Sequence, residues 1–118
     1  MIAVVLVAVG GGLGAGVRWL ATELIPSTDG FPTAITIVNV LGSLALGVIV
    51  GAELAASSSV DVGPLTVGIL AGFTTFSTWM VDIETAESGT RAALVAVVPL
   101  VVGLATAAIG LAIGAALT

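Results

Sequence analysis

The chain has 118 residues, of which 58% are hydrophobic and 8% are charged. A soluble domain carries about 25% charged residues, so this composition excludes a soluble enzyme, a nucleic-acid-binding protein and a multidomain protein. The sequence has no Cys, no His and a formal net charge of −5, which also excludes thiol chemistry, histidine-based catalysis and polyanion binding.

The first half of the chain predicts two membrane-spanning helices, each with the roughly 20 apolar residues that a bilayer requires. The first covers residues 2–24, an apolar stretch that ends near Arg18, Trp19 and Glu23. Residues 26–30 contain proline and an Asp-Gly pair, which favour a turn. The second helix covers residues 32–55, with its proline in the first turn, where proline is tolerated.

The second half predicts two further spans, over residues 64–83 and 91–117, the last with Pro99 inside it. The loop before the third helix is marked by a cluster of polar residues: Ser57, Ser58, Ser59 and Asp61. The next loop contains Glu84, Glu87, Ser88 and Gly89. We therefore expect an all-α membrane protein with four transmembrane helices in a single domain over residues 1–118.

The charges give little information about orientation in the membrane. Four spans place Arg18 and Arg91 on the same side, and orientation follows such cations in short loops. That side also carries five carboxylates, those of Glu23, Asp29, Asp82, Glu84 and Glu87. Two arginines are a weak signal, so insertion in either orientation and insertion with the termini outside are both open.

Small residues are abundant in the predicted spans, and the chain contains 16 Gly. Gly10 and Gly14, and Gly12 and Gly16, form overlapping G-x-x-x-G pairs in the first helix. Such residues let membrane helices approach closely. We expect tight helix contacts and, because four short helices enclose little interior, an oligomer.

Polar side chains deep in a span lose free energy unless they find a partner. Thr36, Asn39 and Ser43 share one face of the second helix. One interpretation is an interhelical hydrogen bond that stabilises the bundle, and such bonds contribute only about 0.6 kcal/mol on average. The other is an amide N–H that lines an ion pathway.

The middle of the third helix is the most unusual segment. Residues 72–79 read Gly-Phe-Thr-Thr-Phe-Ser-Thr-Trp, with four hydroxyls and three aromatic rings in eight residues. One interpretation is a helix broken beside a watery cavity, where backbone carbonyls could hold a cation and N–H groups and ring edges could face an anion. The other is a packed helix whose hydroxyls bond to carbonyls four residues earlier.

Arg18 also allows two interpretations. It lies one turn before the predicted end of the first helix, so its side chain can extend to the membrane interface. Alternatively it is buried against Asp82 or Glu84, which lie on the same side.

Three stretches make the sequence resemble the CrcB/Fluc fluoride channels. Residues 11–18 read Gly-Gly-Leu-Gly-Ala-Gly-Val-Arg, residues 36–47 contain the pattern Asn-x-x-Gly-Ser, and residues 74–78 read Thr-Thr-Phe-Ser-Thr. The resemblance covers the first three helices position by position, whereas the fourth helix matches the family only in its general character. It implies a passive fluoride-selective channel in the cell membrane of a prokaryote, and no enzyme.

The resemblance also implies an assembly and a set of site residues. Family members are antiparallel dual-topology dimers, as homodimers or as heterodimers with a related subunit, and the third helix is broken near its middle. A structural sodium ion would be held by the backbone carbonyls of Ala71 and Thr74. The fluoride pathway would contain Asn39, Ser43, Phe76, Ser77, Thr78 and Trp79, and the charged residues of structural interest would be Arg18 and Asp82.

The chain departs from the family pattern at several positions. Trp79 replaces a second pore Phe, Ala71 stands where Gly is usual, and polar residues are sparse on the fourth helix. One alternative is therefore a non-conducting or half-competent partner subunit of a heterodimeric fluoride channel. A small multidrug or cation exchanger is a further alternative, but it needs a carboxylate at mid-membrane, which the sequence does not offer.

Overall fold

A computed structural model describes residues 1–56 and 63–118, and within them the chain is helical apart from short connections. The helices are α1 (Ile2–Leu24), α2 (Thr33–Ala56), α3 (Gly63–Phe73), α4 (Ser77–Glu84) and α5 (Gly89–Ala116). Residues 74–76 lie between α3 and α4, are not helical, and form the α3–α4 junction.

Four helical stretches in the described residues are long and apolar enough to cross a membrane, with α3 and α4 together forming the third. Their bounds lie within two residues of those expected from hydropathy. The predicted loop at Ser57, Ser58, Ser59 and Asp61 lies outside the described residues.

The connection between α1 and α2 is a tight turn. Asp29 and Gly30 both have positive φ angles, of 50° and 76°. Thr28 and Phe31 exchange backbone hydrogen bonds on either side of them. Glycine and aspartate tolerate this left-handed conformation better than most residues. The Asp-Gly pair thus turns the chain back into the membrane, as the sequence predicts.

The helices pack as two pairs, α1 along α3 and α2 along α5. Glycines make both contacts close, since a Cβ at Gly14 would meet the backbone of Ile69 and Phe73. A Cβ at Gly114 would likewise meet the backbone of Val48 and Ala52. Close backbone approach maximises van der Waals contact where lipid provides no hydrophobic driving force.

The two helix pairs contact each other much less, and the chain buries few large side chains. Among the described residues, the buried hydrophobic core is limited to Ala34, Ile35, Val38 and Val95. Many Leu, Val and Ile side chains point outward, as expected when lipid or another subunit surrounds the helices. The space between the pairs is where polar residues of α2 meet the α3–α4 junction.

Candidate ion pathway

A cavity of about 380 Å³ lies between α2, the α3–α4 junction and α5. Its wall is mostly apolar, with a few polar groups and two aromatic rings, as is common for ligand sites. The residues that the sequence predicts for the pathway and that line it are Asn39, Ser43, Phe76 and Trp79. The structure therefore brings these residues from α2, the junction and α4 to one place.

Asn39 makes a paired hydrogen bond to the backbone of the junction. Its Nδ2 donates to the Thr75 carbonyl at 2.9 Å, and its Oδ1 accepts from the Thr75 N–H at 2.9 Å. This is the interhelical bond of the first interpretation, and the same side chain also lines the cavity. Since an amide has two N–H donors, one remains for a further partner.

Thr75 is the centre of the polar network at the junction and is only 8% exposed. Its hydroxyl oxygen accepts from the Thr78 N–H at 3.3 Å, and the hydroxyl donates to Thr78 Oγ1 at 3.1 Å. Ser77 Oγ lies 3.4 Å from the same hydroxyl. Thr75 therefore caps the start of α4 in the way that an N-terminal Thr satisfies unpaired helical N–H groups.

Two backbone carbonyls lose their usual helical donors as a result. In a continuous helix, the Thr75 N–H would bond to the Ala71 carbonyl and the Thr78 N–H to the Thr74 carbonyl. Here those N–H groups donate to Asn39 and to the Thr75 hydroxyl instead. Thr74 itself follows the packed-helix interpretation, because its hydroxyl donates to the Leu70 carbonyl at 3.0 Å.

Ala71 and Thr74 share a second cavity of about 290 Å³ on the side of the junction away from α5. Unwound backbone carbonyls are the groups that coordinate sodium in broken membrane helices. Ala71 and Thr74 therefore carry carbonyl oxygens of the kind that the sodium ion implied by the resemblance would need. Within residues 1–56 and 63–118, Asp and Glu side chains form no cluster of three that could hold a metal.

The two aromatic rings stand edge to face at the cavity. The Phe76 and Trp79 centroids are 5.7 Å apart with an interplanar angle of 75°. The indole Nε1 of Trp79 donates to the Val95 carbonyl of α5 at 2.7 Å. The additional donor that Trp introduces at this position is therefore engaged within the protein, and the cavity meets the indole ring rather than its N–H.

The other predicted hydroxyls are divided between the cavity and the junction. Ser43 lines the cavity, whereas Ser77 and Thr78 contact the Thr75 hydroxyl beside it. Thr36 lies about one turn before Asn39 on α2, and its hydroxyl donates to the Pro32 carbonyl at 2.9 Å. On α5, the Thr106 hydroxyl donates to the Gly103 carbonyl at 3.0 Å, so α5 offers the cavity few polar groups.

The charged residues lie away from this cavity. Arg18 is half-buried on α1 and makes no ion pair with the described carboxylates. Asp82 lines a separate cavity of about 220 Å³ at the loop end of α4, together with Asp29, Glu87 and Arg91. The structure does not bring Arg18 and Asp82 together as an ion pair within residues 1–56 and 63–118.

Thr75 is the residue that the sequence interpretation did not select for the site. A signal for it exists, because a Thr three residues before a second Thr and just before an apolar segment fits a helix N-cap. The signal is hidden by the surrounding hydroxyls, since Thr74 and Thr75 are neighbours with opposite roles.

Removing the Thr75 hydroxyl is expected to destabilise the junction. Thr75→Val preserves the shape but leaves the Thr78 N–H without its acceptor, which costs about 1–3 kcal/mol in the free energy of unfolding. Denaturation followed by circular dichroism in detergent measures this change. The matched control is Thr85→Val, because the Thr85 hydroxyl bonds to Val81 at an exposed position and its loss should change stability by about 0.5 kcal/mol or less. Equal stability of the two variants would contradict the capping role.

Comparison with known protein families finds a family model that matches most of the chain. The family model described as "CrcB-like protein, Camphor Resistance (CrcB)" matches residues 5–111. The chain belongs to the CrcB family. The match includes all four membrane spans for most of their length and the whole α3–α4 junction.

Individual CrcB-family relatives carry names that describe an ion channel. The chain is 40% identical over 111 residues to "Fluoride-specific ion channel FluC 1" of Rhodococcus jostii, covering 94% of this chain and 84% of that protein. It is 38% identical over 120 residues to "Fluoride-specific ion channel FluC" of Ruminiclostridium cellulolyticum, covering 97% and 90%. It is 46% identical over 83 residues to "Fluoride-specific ion channel FluC 2" of Symbiobacterium thermophilum, covering 64% and 65%.

Family membership and the four apolar spans make this CrcB-family chain a multi-pass protein of the cell membrane. The relatives are named as channels rather than as enzymes, which agrees with the expectation that no catalytic site is present.

Proposed function

We propose that this chain is a fluoride-selective channel that exports cytoplasmic fluoride passively and thereby lowers fluoride toxicity. The observation that carries the proposal is the cavity at the α3–α4 junction, which holds a few polar groups and two aromatic rings, in a chain similar over most of its length to proteins named fluoride-specific channels. The cavity joins Asn39, Ser43 and the two rings beside a non-helical backbone segment.

The side chains at this cavity match the chemistry of a small, strongly hydrated anion. A narrow path has to replace the hydration shell of fluoride with N–H, O–H and ring-edge donors. Asn39 and Ser43 supply amide and hydroxyl hydrogens, and Phe76 supplies a positive ring edge. Ser77 and Thr78 extend the hydroxyl surface along the start of α4.

The driving force requires no catalytic group. Neutral HF crosses lipid and ionises at neutral pH, so fluoride accumulates inside a cell. An inside-negative potential then drives the anion outward, with about 2.3 kcal/mol available per charge and per 100 mV. A passive pathway is therefore sufficient for export.

An antiparallel dual-topology dimer is part of the proposal. The sparse contact between the two helix pairs and the exposed Phe76 ring, which is 68% exposed, leave the cavity incompletely enclosed by one chain. A second copy would close it. The two arginines and the acidic residues around them provide only a weak orientation signal, which is compatible with insertion in both directions.

A sodium ion at the dimer axis would bind to the carbonyls of Ala71 and Thr74. These carbonyls have lost their helical donors, and Ala71 is exposed on the isolated chain. Bound there, the ion would supply positive charge that stabilises the junction and the contact between subunits.

A heterodimer is the second candidate assembly, in which this chain would be a non-conducting or half-competent partner. It is favoured by Trp79 in place of a pore Phe and by the sparse polar lining on α5. Two relatives from one organism, Rhodococcus jostii, carry the names FluC 1 and FluC 2. A proton-coupled exchanger is less compatible with the structure, since no carboxylate lines the cavity at the junction among the described residues.

Anion efflux from liposomes that contain only this purified chain tests the function. We expect rapid fluoride release and no chloride release, because chloride is too large and too weakly bound by the same donors. Protein-free liposomes are the control. No fluoride release from folded protein would exclude a self-sufficient channel, and recovery on adding a related subunit would establish the heterodimer.

Replacing sodium tests the cation site in the same liposomes. If Ala71 and Thr74 hold sodium, preparing the protein with a large organic cation in place of sodium should lower fluoride efflux, because the junction loses its central positive charge. Restoring sodium should restore the flux. Equal efflux in both cations would remove sodium from the proposal and leave the channel function intact.

A further inference from the structure

Pro99 removes one backbone hydrogen bond from the interior of α5. In an α-helix, the N–H of residue 99 would bond to the carbonyl of residue 95, but proline has no N–H. The Val95 carbonyl therefore lacks its helical donor. Val95 is only 3% exposed and Pro99 is buried, so water has poor access to this carbonyl.

Trp79 supplies the missing donor from α4. Its indole Nε1 donates to the Val95 carbonyl at 2.7 Å, which is a short N–H···O hydrogen bond. Trp79 and Pro99 also line the same cavity, so the residue that removes the donor and the residue that replaces it are neighbours. A phenylalanine at position 79 would place a ring there but could not make this bond.

We propose that Trp79 is a positioning residue that acts with Pro99: the indole N–H, bound to the Val95 carbonyl that Pro99 releases, holds α4 against α5 and orients the aromatic wall of the cavity. The Phe76 ring packs edge to face on the indole, and Phe76 as a whole is 68% exposed. The orientation of Phe76 therefore depends on a ring that is itself held by α5. Trp79 acts through its position and not as a donor to the anion.

The proposed effect of Trp79 on the ion pathway rests on the proposed fluoride-channel function. The hydrogen bond between Trp79 and Val95 does not depend on that function. A double-mutant cycle separates the two. The four proteins are the wild type, Trp79→Phe, Pro99→Ala and the double variant, each measured for thermal unfolding in detergent and for fluoride efflux per folded protein. The matched control is Trp19→Phe on α1, since Trp19 is 63% exposed and lies outside the cavity.

We expect Trp79→Phe to lower the unfolding midpoint in the Pro99 protein and to reduce fluoride efflux by roughly tenfold, because the buried Val95 carbonyl is left unpaired. In the Pro99→Ala protein, the alanine restores the helical N–H. The same Trp79→Phe change should then have little effect on stability, and efflux should stay within about threefold of that of Pro99→Ala alone. Trp19→Phe should leave both quantities unchanged.

Two results would overturn the proposal. An equal loss of efflux from Trp79→Phe in both backgrounds would mean that the indole acts independently of Pro99, for example as a donor to fluoride. Coupling in stability without coupling in efflux would restrict Trp79 to a structural role. If the wild type carries no fluoride, the proposed function fails, but the stability cycle still decides whether the hydrogen bond exists.

A measurement without mutation keeps the hydrogen bond testable if a variant does not fold. The chain has two Trp, so its proton NMR spectrum should contain two indole N–H resonances. We expect the Trp79 resonance to exchange slowly with solvent deuterium, because its N–H is bonded to the Val95 carbonyl. Rapid exchange of both would contradict the bond to Val95.

Discussion

Asn39→Asp is expected to lower fluoride efflux by roughly a hundredfold or more. The substitution keeps the shape of the side chain, but a carboxylate cannot donate to the Thr75 carbonyl, which then loses a bond of 2.9 Å. It also places a negative charge on the wall of an anion pathway inside a membrane span, where an unpaired charge is unfavourable. Both effects act at the same cavity, and liposome efflux per folded protein measures their sum.

The matched control for Asn39→Asp is Thr36→Val on the same face of α2. The Thr36 hydroxyl bonds to the Pro32 carbonyl within its own helix and lies outside the cavity, so efflux should stay within about twofold of wild type. If Asn39→Asp conducted as well as Thr36→Val, Asn39 would belong neither to the pathway nor to the support of the junction.

Gly14→Ala is expected to be the most destabilising single-methyl change in α1. The added Cβ would meet the Ile69 carbonyl oxygen and would lie 2.7 Å from the Phe73 backbone nitrogen. Backbone cannot move aside as a side chain can, so α1 and α3 must separate, at a cost of about 1–3 kcal/mol in the free energy of unfolding. Phe73 ends α3, and the separation should therefore also disturb the junction and reduce efflux.

Gly16→Ala provides a control two residues away in the same helix. Apart from the adjacent residues and backbone of its own helix, no described atom lies within 4 Å of a Cβ at Gly16, and alanine favours helix over glycine by about 1 kcal/mol. We therefore expect unchanged or slightly higher thermal stability. A larger loss for Gly16→Ala than for Gly14→Ala would mean that the close α1–α3 contact does not limit stability, and that another subunit covers Gly16.

The α3–α4 junction is supported from both sides by single side chains. Asn39 of α2 binds both backbone groups of Thr75, and Trp79 binds back to α5 through Val95. The junction thus gives up helical hydrogen bonds and receives replacements from α2 and from the Thr75 hydroxyl, while α5 holds the start of α4. Non-helical backbone is tolerated at membrane depth only where protein or a cavity meets it, and here both do.

Hydropathy by itself determined the four membrane spans and their bounds, because an apolar stretch of about 20 residues can pair all its backbone polar groups within itself only as a helix. The turn at Asp29 and Gly30 was predictable for an equally local reason, the tolerance of these residues for positive φ. The segments around Asn39 and Phe76 carry polar groups where lipid opposes them, which indicates a need for partners, and the resemblance to the CrcB family implies that they share one pathway.

The partners of those side chains were decided only by the tertiary structure. The sequence shows that Asn39 has a donor and an acceptor. It does not show that both bind Thr75, 36 positions later in the chain. The sequence also shows that Pro99 removes a donor from α5, but it does not show that Trp79 supplies the replacement donor to Val95. Hydrogen-bond capacity is a property of a residue, whereas its satisfaction depends on the packing of distant helices. The packing brought α2 and α5 to the junction, and so decided that Thr75 is its centre and that the Trp79 N–H faces the protein.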